Sequence, residues 1–168
     1  MTPTQLLVGM ADIQVVKGPG CFTCLGLGSC IGFCALDPVA NVAGMVHVML
    51  PEHFKDKPND MPGKFADTGI AALVQALEKL GASRSKLVCA MAGGAQVFKF
   101  GANVANKLDI GARNALAVDE QVKKLGLKVI ARDVGGHAGR TMMLDAATGE
   151  VKVRTVSQEE KLLCRLRA

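Results

Sequence analysis

Along the chain, hydrophobic and polar residues change period as the sequence passes Leu50. Before it, apolar residues come in short runs punctuated by glycine: Met10–Val16, Cys21–Leu27, Ile31–Leu36 and Val42–Leu50. Runs of this length bounded by turn residues predict strands. Lys17-Gly18-Pro19-Gly20 supplies a turn after the first, and Asp37-Pro38 with Asn41 supplies one before the fourth. An antiparallel meander is the simplest topology for four such strands. Pro51–Gly63 then carries three prolines, several Lys and Asp, and no apolar period, so it predicts a long surface loop.

From Asp67 the period becomes 3.6. Ile70, Leu73, Val74, Leu77 and Leu80 fall on one face of a helix that Asp67 or Thr68 caps and Gly81 ends. A strand follows around Leu87–Met91, and Ala92-Gly93-Gly94-Ala95 breaks the pattern, a composition that permits close backbone approach. A second helix carries Ala115, Val118, Val122 and Leu125 on one face and stops at Gly126. Lys128–Arg132 predicts a strand, and Thr141–Leu144 with Val151–Val156 a hairpin around Ala147-Thr148-Gly149. Leu162, Leu163 and Leu166 predict a short final helix. Runs of strands with only two intervening helices fit an α/β layered domain better than a regular βαβ repeat. Residues 1–168 are expected to form one domain, the usual size for a single core.

Composition narrows the function. With 49% hydrophobic and 21% charged residues and no low-hydropathy charge block, the chain is expected to fold on its own. The formal charge is +5, but Lys and Arg are scattered between acids rather than gathered in a stripe. There is neither Trp nor Tyr on which bases could stack. Nucleic acid is therefore not an expected partner. No basic stretch leads into an apolar run at the N-terminus, and nothing approaches about eighteen uninterrupted apolar residues. A cytoplasmic protein without membrane insertion is expected, with its six cysteines as reduced thiols.

Leu25-Gly26-Leu27-Gly28-Ser29-Cys30-Ile31-Gly32 places one thiol among three glycines at a turn between strands. Such a turn leaves amide N–H groups uncovered for a developing oxyanion, and Gly28, Ser29, Cys30 and Ile31 are the candidates. Taken alone, a cysteine there is commonly a small buried hydrophobe. His47 is the one imidazole inside an apolar strand pattern; alternation puts it on one face with Met45 and Met49, opposite Val46, Val48 and Leu50. If these strands are neighbours, Cys30 and His47 can meet, and a thiol beside an imidazole is the activated nucleophile of acyl transfer. His53 and His137 lie in loop-like contexts. Cys21-x-x-Cys24 with Cys30 and Cys34 resembles metal-ligand spacing, but strand parity sends Cys21 and Cys24 to opposite faces, so neither metal nor other cofactor is expected. A redox role for Cys21 and Cys24 would require a reversible disulfide between them.

Leu25-Gly26-Leu27-Gly28-Ser29-Cys30, Asp37-Pro38 and Gly44-Met45-Val46-His47-Val48-Met49-Leu50-Pro51 together resemble the signature of the CheD chemoreceptor glutamine deamidases. The likeness continues through Pro62–Asp67, Ala92–Ala95, Ile110–Asn114 and Asp133–Gly136. The resemblance implies an α/β sandwich of mostly antiparallel sheet with two main helices, of the kind shared with certain deamidating bacterial toxins. It implies a protein-glutamine glutaminase with Cys30 as nucleophile and His47 as its histidine, acting on methyl-accepting chemotaxis receptors. It also implies a second role, binding a CheC-type phosphatase. The family's third site residue is a Thr six positions before the nucleophile; here that position is Cys24, with Thr23 just before it. Thr23 through a small register change, Cys24 or backbone in its place, or a dyad without a third side chain all remain open. A receptor rich in glutamate would meet Lys55, Lys57 and Lys64 in or beside the loop after the His47 strand, which makes that loop a candidate docking rim.

Overall fold

The computed structural model describes residues 4–53, 56, 58, 61–96, 109–156 and 158–167. Among the described residues, ten strands and two α-helices run in the order β1 (Gln5–Leu7), β2 (Ile13–Lys17), β3 (Cys21–Leu27), β4 (Ile31–Asp37), β5 (Val42–Val48), α1 (Ala66–Lys79), β6 (Val88–Gly93), α2 (Ile110–Leu125), β7 (Lys128–Val134), β8 (Arg140–Asp145), β9 (Glu150–Thr155) and β10 (Lys161–Arg165). They form two five-stranded sheets, one ordered β1-β3-β8-β9-β10 and the other β2-β5-β4-β6-β7. Among the described residues, β1–β3 and β6–β7 pair in parallel and every other pairing is antiparallel. The predicted class, an α/β sandwich with two main helices, is the observed one.

Side-chain alternation builds the layers. Ile31, Phe33 and Ala35 of β4 with Val42, Val46 and Val48 of β5 pack against Ile70, Leu73, Val74 and Leu77 of α1 and Val118 and Val122 of α2. The opposite faces, Cys34 and Leu36 of β4 with Ala43 and Met45 of β5, pack against Phe22, Cys24 and Leu27 of β3, Met142 and Leu144 of β8, and Val151 and Val153 of β9. The β4–β5 sheet is thus the middle layer, buried on both faces, and the β3–β8 sheet keeps one face in solvent. That difference shows in burial: β4 and β5 are buried at every position, while β3 alternates half-buried and buried residues up to Cys24.

Three expectations are corrected. The first strands do not form a meander: β2 pairs with β5, and β3 leaves for the other sheet. The chain therefore changes sheet at every step from β1 to β4, and once more between β7 and β8. The tail is strand β10 rather than a helix, with a register shift between Leu162 and Cys164 that disturbs strict alternation and mimics helical spacing. The first helix begins at Ala66 with Phe65 as its cap residue. Asp67 and Thr68 instead tie down the preceding segment: the Asp67 carboxylate accepts the His53 N–H at 3.0 and 3.1 Å, and the Thr68 hydroxyl donates to the Pro62 carbonyl at 2.7 Å. The second helix carries the expected stop, with Gly126 at φ 69°, and Asp109 caps its start by accepting the Ala112 N–H at 2.9 Å.

Candidate active site

Val8 lies in the first of these passages between sheets and Cys30 in the third. His47 lies on β5 directly opposite Gly32 of β4, so its side chain shares the inter-sheet face with Met45. Position 32 is closely packed, since a Cβ there would stand 3.1 Å from both Leu27 Cδ1 and Met142 Sδ and 3.5 Å from Cys24 Sγ. Cys30 is two residues before Gly32, just outside the β4–β5 ladder, whose register ends at Ile31 and Val48. Cys24 Sγ is thus packed against Gly32, the residue paired with His47, and Cys30 packs against the same inter-sheet cluster.

His47 is 2% exposed, and its ring is oriented by backbone. Nδ1 lies 3.3 Å from the Val8 carbonyl oxygen, which can only accept, so Nδ1 carries the proton and Nε2 presents a lone pair. Nε2 is buried without a hydrogen-bond partner among the described residues. Val8 sits in the passage from β1 to β2, and its own N–H donates to the Thr23 carbonyl at 2.8 Å, so one residue links β3 to His47. The His47 main chain is fixed as well, donating to Asp12 O at 3.1 Å and accepting from Ala11 N–H at 2.9 Å.

The Cys30 loop is held by its carbonyls. Gly28 O accepts from Ala95 N–H at 2.8 Å, Cys30 O from Gly94 N–H at 2.9 Å, and Ser29 O from Asn114 Nδ2 at 2.9 Å. In a trans peptide the C=O and the following N–H point in opposite directions. Anchoring the Gly28 and Ser29 carbonyls thus turns the N–H groups of Ser29 and Cys30 away from the anchors. Ile31, fully buried, already belongs to β4 opposite Val48. The Gly93-Gly94 break performs the close approach its composition allowed: at Gly93, φ is 117° and a Cβ would fall 2.1 Å from Cys30 O.

Burial pushes the half-buried Cys30 thiol above the ordinary 9.0. It also pulls the His47 imidazole down, an effect opposed by the Val8 hydrogen bond and the charge of Asp12. Both shifts act toward the neutral form of the group concerned. Cys24, fully buried on β3, is pushed up to about 12 by burial first, with Cys30 and Asp12 adding to it.

Other residues fall away from this centre. Thr23 alternates with Cys24 and lines a pocket on the outer face of its sheet with Gln5, Cys21 and Met143, so its carbonyl, not its hydroxyl, is linked to the His47 network. Cys21 and Cys24 occupy opposite faces, and all six cysteines are free thiols. His53 packs edge-on to Phe65 at 5.2 Å, and His137 sets Nδ1 3.2 Å from Gln96 O. Lys64 places its ammonium 5.7 Å from the Phe65 ring, while Lys55 and Lys57 lie outside the described residues. No described helix is long and apolar enough to cross a membrane.

The sequence profile of the family described as CheD chemotactic sensory transduction matches residues 49–155. A protein of Caldanaerobacter subterraneus named "Probable chemoreceptor glutamine deamidase CheD" is 44% identical over 94% of this chain and 97% of its own length. Proteins of the same name from Desulfitobacterium hafniense and Lachnoclostridium phytofermentans are each 46% identical, over 93% and 94% of this chain and 96% and 97% of theirs. The chain belongs to the CheD family. In this CheD family member the profile match begins two residues beyond His47.

Two parts of the site escaped the sequence reading. Val8 contributes a carbonyl, which every residue has, so no side-chain pattern marks it. Asn114 left a signal that was passed over: it is an amide on the buried face of α2, in line with Gly111, Val118 and Val122.

Proposed function

We propose that this protein hydrolyses glutamine side-chain amides on methyl-accepting chemotaxis receptors to glutamate, with Cys30 as nucleophile and His47 as proton carrier. The relatives' names supply the reaction class and the substrate. The observation that carries the mechanism is His47 itself, with Nδ1 committed to the Val8 carbonyl and Nε2 buried and free on the face it shares with the Cys30 loop.

The steps start from a neutral thiol and a neutral imidazole. As Cys30 Sγ attacks the glutamine Cδ, its proton passes to His47 Nε2, and the carbonyl oxygen becomes an oxyanion within reach of the Ser29 and Cys30 N–H groups. The imidazolium then protonates the amide nitrogen, the C–N bond breaks, and ammonia leaves a thioester. Water attacks the thioester with His47 as base, releasing glutamate and the Cys30 thiol. Val8 O fills the orienting role, holding the tautomer and stabilising the imidazolium, a part that a carboxylate plays in the Ser-His-Asp triad. Neither Thr23 nor Cys24 is required for it. A cleft of about 650 Å³ bordered by Gly26, Gly28, Arg140, Arg154 and Val156 lies beside the loop and gives a receptor side chain its approach.

The test is incubation of the purified protein with a receptor cytoplasmic fragment. Intact-mass measurement should show a gain of about one dalton per modified glutamine, the difference between amide and acid. A fragment whose mass is unchanged after prolonged incubation would count against the assignment.

A further inference from the structure

We infer that Asn114 is a positioning residue for the reaction, the clamp that holds the Cys30 loop against the end of the His47 strand. The inference rests on the reading of Cys30 as nucleophile and adds to it a residue on a separate element. Asn114 projects from α2 with no exposed surface. Its Nδ2 donates to Ser29 O at 2.9 Å and to Met49 O at 2.9 Å. Ser29 is the residue before Cys30, and Met49 is two residues after His47. One amide group therefore ties together the two segments whose separation sets the thiol–imidazole distance.

Its chemistry suits that task and no general packing role. Both partners are carbonyls that only accept, so the two hydrogens of Nδ2 are both used and the amide orientation is fixed. The consequence is an Oδ1 buried without a partner among the described residues. Leaving a buried acceptor unmade is unfavourable, and such local exceptions concentrate at functional sites. The helix is itself pinned where it approaches the loop's other anchors: at Gly111, one turn earlier, a Cβ would stand 2.5 Å from Ala95 O. Thus α2 reaches the Cys30 loop twice, by Asn114 directly and by Gly111 through Gly94 and Ala95.

The full-length Asn114→Leu, Asn114→Asp and Asn114→Ser proteins test this. Leucine keeps volume without a donor, aspartate keeps shape but offers only acceptors when ionised, and serine cannot bridge both carbonyls. Each should lower kcat for receptor-fragment deamidation by about 10²-fold, the effect of a roughly ångström misplacement, with KM nearly unchanged. Alkylation of Cys30 by iodoacetamide, followed by peptide mapping, should move the opposite way. A loosened loop exposes the thiol, so its pH profile should shift down toward the ordinary 9.0 and its labelling at pH 8 should accelerate several-fold. The fully buried Cys34 and Cys89 serve as reporters of the core and should stay unlabelled.

Variants with kcat within twofold of the parent and an unchanged Cys30 profile would overturn the inference. Full labelling of Cys34 and Cys89 in all three would overturn it too, because Asn114 would then hold the core rather than the loop. If Cys30→Ala retains deamidation, the reading beneath the inference has failed; if only the Asn114 variants behave normally, the inference alone has failed.

Discussion

A Cys30→Ala protein should remain folded and lose receptor deamidation by on the order of 10⁴-fold or more, the scale seen when a nucleophile acting with a base is removed. Cys30 is half-buried at the edge of the inter-sheet core, so loss of its sulfur should cost on the order of 1 kcal/mol in stability. Thermal unfolding should therefore barely move while the mass gain on a receptor fragment disappears. The gap between those two readouts is what separates chemistry from packing. Retained deamidation in the folded variant would remove Cys30 from the mechanism. Loss of deamidation with unchanged affinity for a CheC-type phosphatase would instead show that the two roles the resemblance implies reside on different groups.

The second large effect is expected away from any reactive atom. Gly93→Val must put a Cβ where Cys30 O and C stand at 2.1 and 3.1 Å, and it must do so at φ 117°, which β-branched residues avoid. The obstruction is backbone, so relief comes only by moving β6 or the Cys30 loop. Moving the loop also sacrifices the bond from Gly94 N–H to Cys30 O. Stability should fall by about 3 kcal/mol or more, and the surviving folded fraction should deamidate about 10²-fold more slowly. Gly81→Val is the matched control: φ is 107° there, but nothing lies within 4 Å of the added Cβ. Urea unfolding and single-turnover rates for the two variants separate strain at one residue from displacement of the nucleophile. Equal stability and equal rates would mean that the Gly93 contact does not position Cys30.

What the sequence made legible follows from how each feature is encoded. Both helices carry their own period and stops, and α2 ends at Gly126 as expected. The thiol and the imidazole stood out because each is unusual for its setting, Cys30 among glycines and His47 in an apolar strand. Strand partners are encoded only by long-range packing, so the meander was the simplest guess and failed. The mark of a one-sided and a two-sided sheet lies in burial rather than residue type: β3 alternates between half-buried and buried residues up to Cys24, whereas β4 and β5 are buried throughout. The bulge at Leu25-Gly26, with Gly26 at φ 62°, then resets the parity so that Leu27 faces inward again and the chain can cross between sheets. Val8 was beyond reach because its contribution is a peptide group whose direction is set by the passage from β1 to β2. The candidate rim formed by Lys55, Lys57 and Lys64 remains a matter of sequence at its first two positions.

The covalent step on Cys30 is the point at which the proposed mechanism is most directly exposed. Acid quenching of the full-length protein during turnover of a receptor cytoplasmic fragment, followed by mass spectrometry of the Cys30 peptide, observes that step. The account predicts a receptor peptide joined to Cys30 through a hydroxylamine-sensitive thioester, formed before glutamate appears and then consumed. Glutamate accumulating while Cys30 stays unmodified at every quench time would contradict it.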